Sequence, residues 1–249
     1  MLTLPQLIEA CNALYPPVND CAPHGLQVAG CREIDRVAVA VTADLRTIQR
    51  ASEEGCQALI VHHGLYWDKS SPCLVEWLGR RAGALMRTGI SLLAYHLPMD
   101  LHQEVGNNWP AARDLGLAHL QPFGSCGAHR LGVIGEADEA SVGEWLAKVG
   151  EYYGSTVRWA KAARPKVRRV AIVSGAGQRY IEEAQQARAD LLITGVADEP
   201  QWHLAKELDV HFFAVGHAAS ERVGPRRLAD WLQERLPVQA RFLMDDNPF

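Results

Sequence analysis

A chain of 249 residues, 48% hydrophobic and 22% charged, has the composition of a folded globular protein and enough length for one large or two small cores. Its formal net charge of −4 gives no overall attraction to nucleic acid, and the basic run Lys161–Arg169 is short enough to be a solvated linker. No apolar run approaches the ~18–20 residues a membrane span requires, and no signal peptide is read at the start, so neither membrane nor nucleic acid is an expected partner.

The first residues, MLTLPQLIEACNALYPP, read as a short amphipathic helix stopped by Pro16-Pro17. The following stretch Gly25-Leu26-Gln27-Val28 reads as loop, with nothing in it that points to chemistry. Six cysteines occur without a C-x-x-C pair, which fits free thiols and an expected cytoplasmic location. Three apolar segments then read as buried strands: Arg36–Thr42, Ala58–His62 and Ser91–His96. Between the first two, Asp44–Glu54 has helical periodicity and an acidic start.

Further on, Leu131–Glu136, Ser141–Tyr153 and Ser155–Trp159 read as strand, helix and strand. The earlier pattern then returns. Val170–Val173, Gln178–Ala189, Leu191–Thr194 and His211–Val215 repeat strand, helix, strand and strand, the last two joined by a helical stretch. Val37 to Ala58 is 58 − 37 = 21 positions, and Val170 to Leu191 is 191 − 170 = 21. The expectation is an α/β fold of two related lobes with mainly parallel βαβ units. Segments 1–125, 126–165 and 166–249 are the expected first lobe, bridge and second lobe.

In open parallel sheets, ligands bind beyond the carboxyl ends of the strands, and polar residues collect there in this sequence. One strand runs into His62-His63-Gly64, the next into His96-Leu97-Pro98-Met99-Asp100-Leu101-His102. In the second lobe the ends are Thr194-Gly195 and Gly216-His217-Ala218-Ala219-Ser220-Glu221. Imidazole and carboxylate together make a donor set for Zn, Fe, Mn or Co. Neighbouring strand residues point to opposite faces, so His62 and His63 are expected to diverge and to serve two ions rather than one. A carboxylate such as Glu221 is suited to bridge the ions, with Asp100 and His217 completing their shells. His24, His119, His129, His203 and His211 carry no such spacing and read as structural or exposed. Ser174-Gly175-Ala176-Gly177 has the form of an anion-binding turn but reads better as a tight turn.

Taken in order, APHGLQVAG, IVHHGLYW, HLPMDLH followed by Gly106-Asn107-Asn108, the late Ile193-Thr194-Gly195 and GHAASER resemble the Nif-three-like dinuclear-metal proteins, the GTP cyclohydrolase I type-two homologs, in their compact bacterial form. The resemblance implies two divalent ions (Zn, Fe or Mn), with His62 and Asp100 on one, His63 and His217 on the other, and Glu221 bridging. It implies a site between the lobes, a ring-shaped homohexamer, and hydrolysis of a purine nucleotide by a metal-bridged hydroxide; His96 and His102 are candidates for proton transfer on their proximity to Asp100 alone. Two alternatives stand beside it: a phosphoesterase at the same centre, and a metal-binding interaction or assembly module without turnover. Two positions depart from the family pattern: Val196 stands where many members carry an acid, and Ser220 where threonine is usual. Whether Asp198 or Glu199 makes up for Val196 is left open by the sequence.

Overall fold

Every residue from Val37 to Val41 is buried, so the strand Arg36–Thr42 is apolar on both faces and must lie inside a sheet covered on both sides. It pairs in parallel with Ala58–His63, which pairs in parallel with Ser91–Ala94. The connecting helix Leu45–Glu53 starts at Asp44, whose Oδ1 accepts from the Arg46 and Thr47 amides at 2.7 and 3.1 Å. Its buried stripe of Thr47, Ile48 and Ala51 packs the helix down.

The computed structural model describes residues 1–249, which fall into two units: Met1–Met99 with Gly224–Asp246, and Asp100–Val223 with Asn247–Phe249. The expected segment limits at 125/126 and 165/166 both lie inside the second unit. The sheet of the first unit has five strands, in the order Gln239–Phe242, Arg36–Thr42, Ala58–His63, Ser91–Ala94 and Gly25–Val28, the last antiparallel. The sheet of the second has six, in the order Ala118–Cys126, His129–Ser141, Lys166–Val173, Leu191–Thr194, His211–Ala214 and Arg158–Ala160. Its three middle-to-late members Lys166–Val173, Leu191–Thr194 and His211–Ala214 run parallel, and its flanking strands run antiparallel. Both units are therefore α/β, as the repeated pattern implies.

The repeat extends to register. Val37 faces Ala58, and Val170 faces Leu191, an offset of 21 in each case (58 − 37 and 191 − 170). The second crossover differs: Ala58 faces Ser91 (91 − 58 = 33) but Leu191 faces His211 (211 − 191 = 20). The longer first-unit crossover carries a non-helical stretch before the helix Glu76–Thr88, whereas the shorter one holds only the helix Pro200–Glu207.

Several elements depart from the sequence reading. Gly25–Val28 is an edge strand rather than a loop, and Gln239–Phe242 adds a strand whose half-exposed pattern hides it among polar residues. The helix expected over Gln178–Ala189 is a single 3-10 turn, Gln178–Tyr180, followed by Ile181–Gln186. It stops because Arg188 takes a left-handed φ of 57° and the Ala189 amide reaches back to Ala184 O at 2.8 Å. The helix Val142–Tyr153 follows its expected span, fixed by the reciprocal Ser141–Glu144 cap and the left-handed Gly154. No helix is long and apolar enough to cross a membrane.

Candidate metal centre

In the first unit the histidines are gathered by the strand ends. His62 is fully buried, and its Nδ1 donates to Tyr95 O at 3.2 Å. A carbonyl only accepts, so this bond fixes the tautomer and makes Nε2 the lone-pair nitrogen. His63 Nδ1 shares a 3.2 Å hydrogen bond with Thr42 Oγ1 on the neighbouring strand. His96 Nδ1 donates to Asp20 Oδ1 at 2.8 Å, and Asp20 Oδ2 accepts from the Leu97 amide at 2.8 Å. Burial pushes the Asp20 carboxyl up, but the His96 hydrogen bond and charge, with the Leu97 and Cys21 amides, hold it below its ordinary value.

The two adjacent histidines do not diverge as expected. The ring centroids of His62 and His63 lie 4.6 Å apart, and His96 is 5.0 and 5.7 Å from them. Strand alternation fixes only the Cα–Cβ directions. The strand ends at His63, and the bonds to Tyr95 O and Thr42 turn both rings back toward the same end. One ligand atom from each of His62, His63 and His96 lies within 4.8 Å of the others, a grouping that could hold a metal ion.

The turn after His63 is held by a residue that the sequence reading passed over. Gln27 Oε1 accepts from the Leu65 amide at 2.7 Å, and its Nε2 donates to Pro23 O at 3.1 Å. The Gln27 amide lies so close to Gly64 that a Cβ there would stand 2.3 Å from Oε1. Gln27 thus clamps the loop that presents His63. Only its standing as the one polar side chain between Gly25 and Gly30 could have hinted at this.

The second unit brings its donors from other positions. Asp100 is 6% exposed, and its Oδ1 accepts from Asn107 Nδ2 and Ser174 Oγ, each at 2.8 Å. Asn108 ties the same region down, donating to Asp100 O and Leu131 O while its Oδ1 accepts from the Ser174 amide at 2.7 Å. His217 opens the short helix His217–Ser220 and Glu221 follows it, which brings His217 Nε2 to 3.2 Å from Glu221 Oε1. Glu221 is 3% exposed, and a carboxylate so buried requires compensating partners. Pro225 sits in the first turn of the next helix, Val223–Arg235, where its missing amide is tolerated.

Gly175, with φ +61°, is the fulcrum of this arrangement. A Cβ there would lie 2.3 Å from Glu221 Oε1 and 3.3 Å from His217 Nε2, so the carboxylate and imidazole use the space that any other residue would fill. The surrounding turn is tight rather than anion-binding, because its amides are already engaged: Ser174 N by Asn108, Gly175 N by Ser220 Oγ at 2.8 Å, and Gly177 N by Thr194 Oγ1 at 2.9 Å. His102 belongs to its own loop, its Nδ1 accepting from the Glu104 and Val105 amides at 3.1 and 2.9 Å, and burial lowers its pKa. His211, read from sequence as structural, is fully buried with both ring nitrogens bonded to backbone, to Ala162 N and Arg164 O at 3.0 Å each.

The model of the Duf34/NIF3 (NGG1p interacting factor 3) family matches residues 2–248. The chain belongs to the DUF34/NIF3 family. It is 42% identical over 253 residues to a GTP cyclohydrolase 1 type 2 homolog of Chlamydia trachomatis, with 100% of each chain covered. To the protein of the same name in Haemophilus influenzae it is 36% identical over 249 residues, covering 99% and 98%. Among solved structures it is similar to a Thermus thermophilus protein, with a TM-score of 0.90, 30% identity and 100% of each chain covered. It is also similar to protein ybgI, described as of unknown function, with a TM-score of 0.92, 32% identity and 100% of each covered.

Ser220 links two segments of the second unit. Its hydroxyl accepts from Gly175 N and donates to His217 O at 2.7 Å, tying the glycine turn to the histidine. Of the acids after Val196, Asp198 accepts from Gln178 Nε2 at 2.9 Å, and Glu199 pairs with His203 at 3.0 Å. The donor chemistry in both units, nitrogen and carboxylate oxygen with orienting partners behind them, fits a borderline divalent ion.

Proposed function

We propose that the chain holds two divalent metal ions through His62, His63, Asp100, His217 and Glu221, and that it is a metal-dependent hydrolase acting on a purine nucleotide. The observation that carries the reading is the pair His62 and His63 at the end of one strand, each with Nδ1 committed to an oxygen, Tyr95 O and Thr42 Oγ1. Second-partner bonds of this kind fix metal-ligating imidazoles in their working tautomer. The purine nucleotide follows the relatives' shared name, GTP cyclohydrolase 1 type 2 homolog. A divalent ion at such donors supplies an activated water at neutral pH and polarises the group it attacks.

The chain's own residues then have distinct tasks. Ser174 and Asn107 fix Asp100 through its Oδ1. Asp20 holds His96 with Nδ1 protonated, so Nε2 is the atom that takes up and returns a proton. His102 suits this task less well, since two amides of its own loop occupy its Nδ1. Trp67 stands edge-on to His96 at 5.0 Å and walls one side of the imidazole cluster against water. A cytoplasmic, ring-shaped homohexamer completes the reading, and light scattering at micromolar concentration tests the assembly.

The test is metal content per chain by plasma mass spectrometry on untagged protein, for the wild type and Glu221→Ala, followed by incubation with GTP. About two equivalents in the wild type, clear loss in the variant, and an opened purine ring as product are expected. Phosphate release instead of ring opening moves the protein to the phosphoesterases. Bound nucleotide without product favours a binding module, a role consistent with the interaction named in the family's description. Metal near zero after exposure to Zn, Mn and anaerobic Fe(II) overturns the reading.

A further inference from the structure

Beside His217, the second unit contains a cavity of about 250 Å³, lined among others by Thr156, Arg158, Val196, Ala197 and Gly216. Arg158 lies on the exposed edge strand Arg158–Ala160, facing Ala214 in the ladder. Its guanidinium takes part in no ion pair or hydrogen bond of the chain, whereas Arg164, Arg168 and Arg169 nearby in sequence are all paired with Asp190, Asp209 or Glu136. The acids of the adjoining loop are committed elsewhere, Asp198 to Gln178 and Glu199 to His203. Val196 and Ala197 contribute no charge. Phe249, which also lines the cavity, accepts from the Ala218 amide through its O at 2.8 Å.

An unpaired arginine on the wall of a small cavity has a specific chemical preference. Its planar fork of donors matches phosphate oxygens two at a time, and the Thr156 hydroxyl adds a further donor on the same wall. The space is below the ~300–1,000 Å³ of sites that enclose a whole drug-sized ligand, and suits one end of a molecule rather than all of it. Because His217 shares the wall, a ligand anchored there by its phosphate extends past a residue assigned above to a metal.

We propose that this cavity is a phosphate subsite, with Arg158 as the residue that selects phosphate-bearing ligands and sets their position against His217. The inference rests on the reading of His217 as a metal ligand for its consequence in catalysis, but not for the binding of phosphate itself.

The experiment titrates the full chain, metal-loaded and chelator-stripped, with GTP, inorganic pyrophosphate and guanosine by calorimetry. Wild type, Arg158→Lys and Arg158→Ala are compared, with metal content measured on each. The wild type is expected to bind GTP at least tenfold more tightly than guanosine. Arg158→Ala should lose about 10- to 100-fold in affinity for GTP and pyrophosphate, with guanosine binding and metal content unchanged. Arg158→Lys should fall between, since it keeps the charge and loses the fork. Equal GTP affinity in wild type and Arg158→Ala overturns the subsite, as does a wild type that binds neither GTP nor pyrophosphate at millimolar concentration. Arg158-dependent binding in a protein that takes up no metal keeps the subsite and rejects the metal reading. Two metals with Arg158-independent binding do the reverse.

Discussion

The two parallel triplets share a scaffold and differ in where they put their chemistry. Tyr95 N donates to Val61 O, and Val215 N to Thr194 O, both at 2.9 Å, so the ends of the strands correspond residue by residue. By that correspondence His62 and His63 stand where the second unit has Gly195 and Val196, His96 where it has Gly216, and Thr42 where it has Gly175. The first unit presents donors directly from strand ends and uses Thr42 to steady one of them. The second has glycine at three of those four positions, with Val196 at the fourth, and brings in Glu221 and Ser220 from the following segment. A Cβ at Gly195 would lie 2.6 Å from Ser220 Oγ, and one at Gly175 would lie 2.3 Å from Glu221 Oε1. What the repeat preserves is therefore a place for donors beyond the sheet, and the donors themselves arrived there by different routes.

The sharpest way to break the comparison is Gly175→Ala. The left-handed φ alone costs about 1–2 kcal/mol, and the collision with Glu221 adds about 1–3 kcal/mol. Gly154, with φ +59° and nothing within 4 Å of its missing Cβ, separates the two contributions. In urea denaturation Gly154→Ala should show the first cost only, and equal losses in both variants would mean that Glu221 does not need the space. Metal uptake should fall in Gly175→Ala alone.

Ser220→Ala comes next. It leaves the buried Gly175 amide without its acceptor and should lower stability by about 1–3 kcal/mol. In the first unit, Gln27→Ala removes the clamp on the His63 turn for about 1 kcal/mol, as an exchange of hydrogen bonds with water. The informative result is the double variant: Gly64→Ala should be better tolerated once Gln27 is shortened, since Gln27 is what its Cβ meets. Strict additivity in thermal melts would show that the two do not touch.

The parts legible in the sequence are those that apolar runs and donor-bearing strand ends announce. Arg36–Thr42 and Leu191–Thr194 follow their expected limits, and the 21-residue spacing became an identical register in both units. The candidate donors stand out in the sequence as residue types, histidine and carboxylate gathered at strand ends. Their supports do not. Asp20, Thr42, Gln27, Ser174 and Asn108 act through contacts between 21 and 76 positions away in sequence and carry no local pattern. Gly25–Val28 was missed for a related reason: only four residues long, with alternate members exposed and buried irregularly, it becomes a strand by pairing with Ser91–Ala94 rather than by its own preference.

The smallest predicted effect tests the comparison at the opposite end of the sheets. Ser91 faces Ala58 and His211 faces Leu191, so the two occupy the same place at the start of the third strand. Each ties down the segment beside its antiparallel edge strand: Ser91 Oγ accepts from Gly30 N at 3.0 Å, and His211 Nδ1 accepts from Ala162 N at 3.0 Å. The task is the same, but only histidine titrates. Burial lowers the His211 pKa, outweighing the opposing pull of the Arg164 carbonyl, and protonation would also displace the Ala162 amide. The folded value lies below the unfolded one of about 6.5, so the unfolded chain takes up its proton first as pH falls. The contribution to stability is thus complete above pH ~6.5 and is lost as pH drops through the folded value. His24 and His102 are shifted the same way, both mainly by burial, so replacing one residue should flatten the decline without abolishing it. Urea midpoints of chelator-treated wild type and His211→Ser, taken at pH 5, 6, 7 and 8, should converge toward the acid end. Parallel curves would show that His211 keeps its ordinary titration and that the two third-strand starts differ in name only.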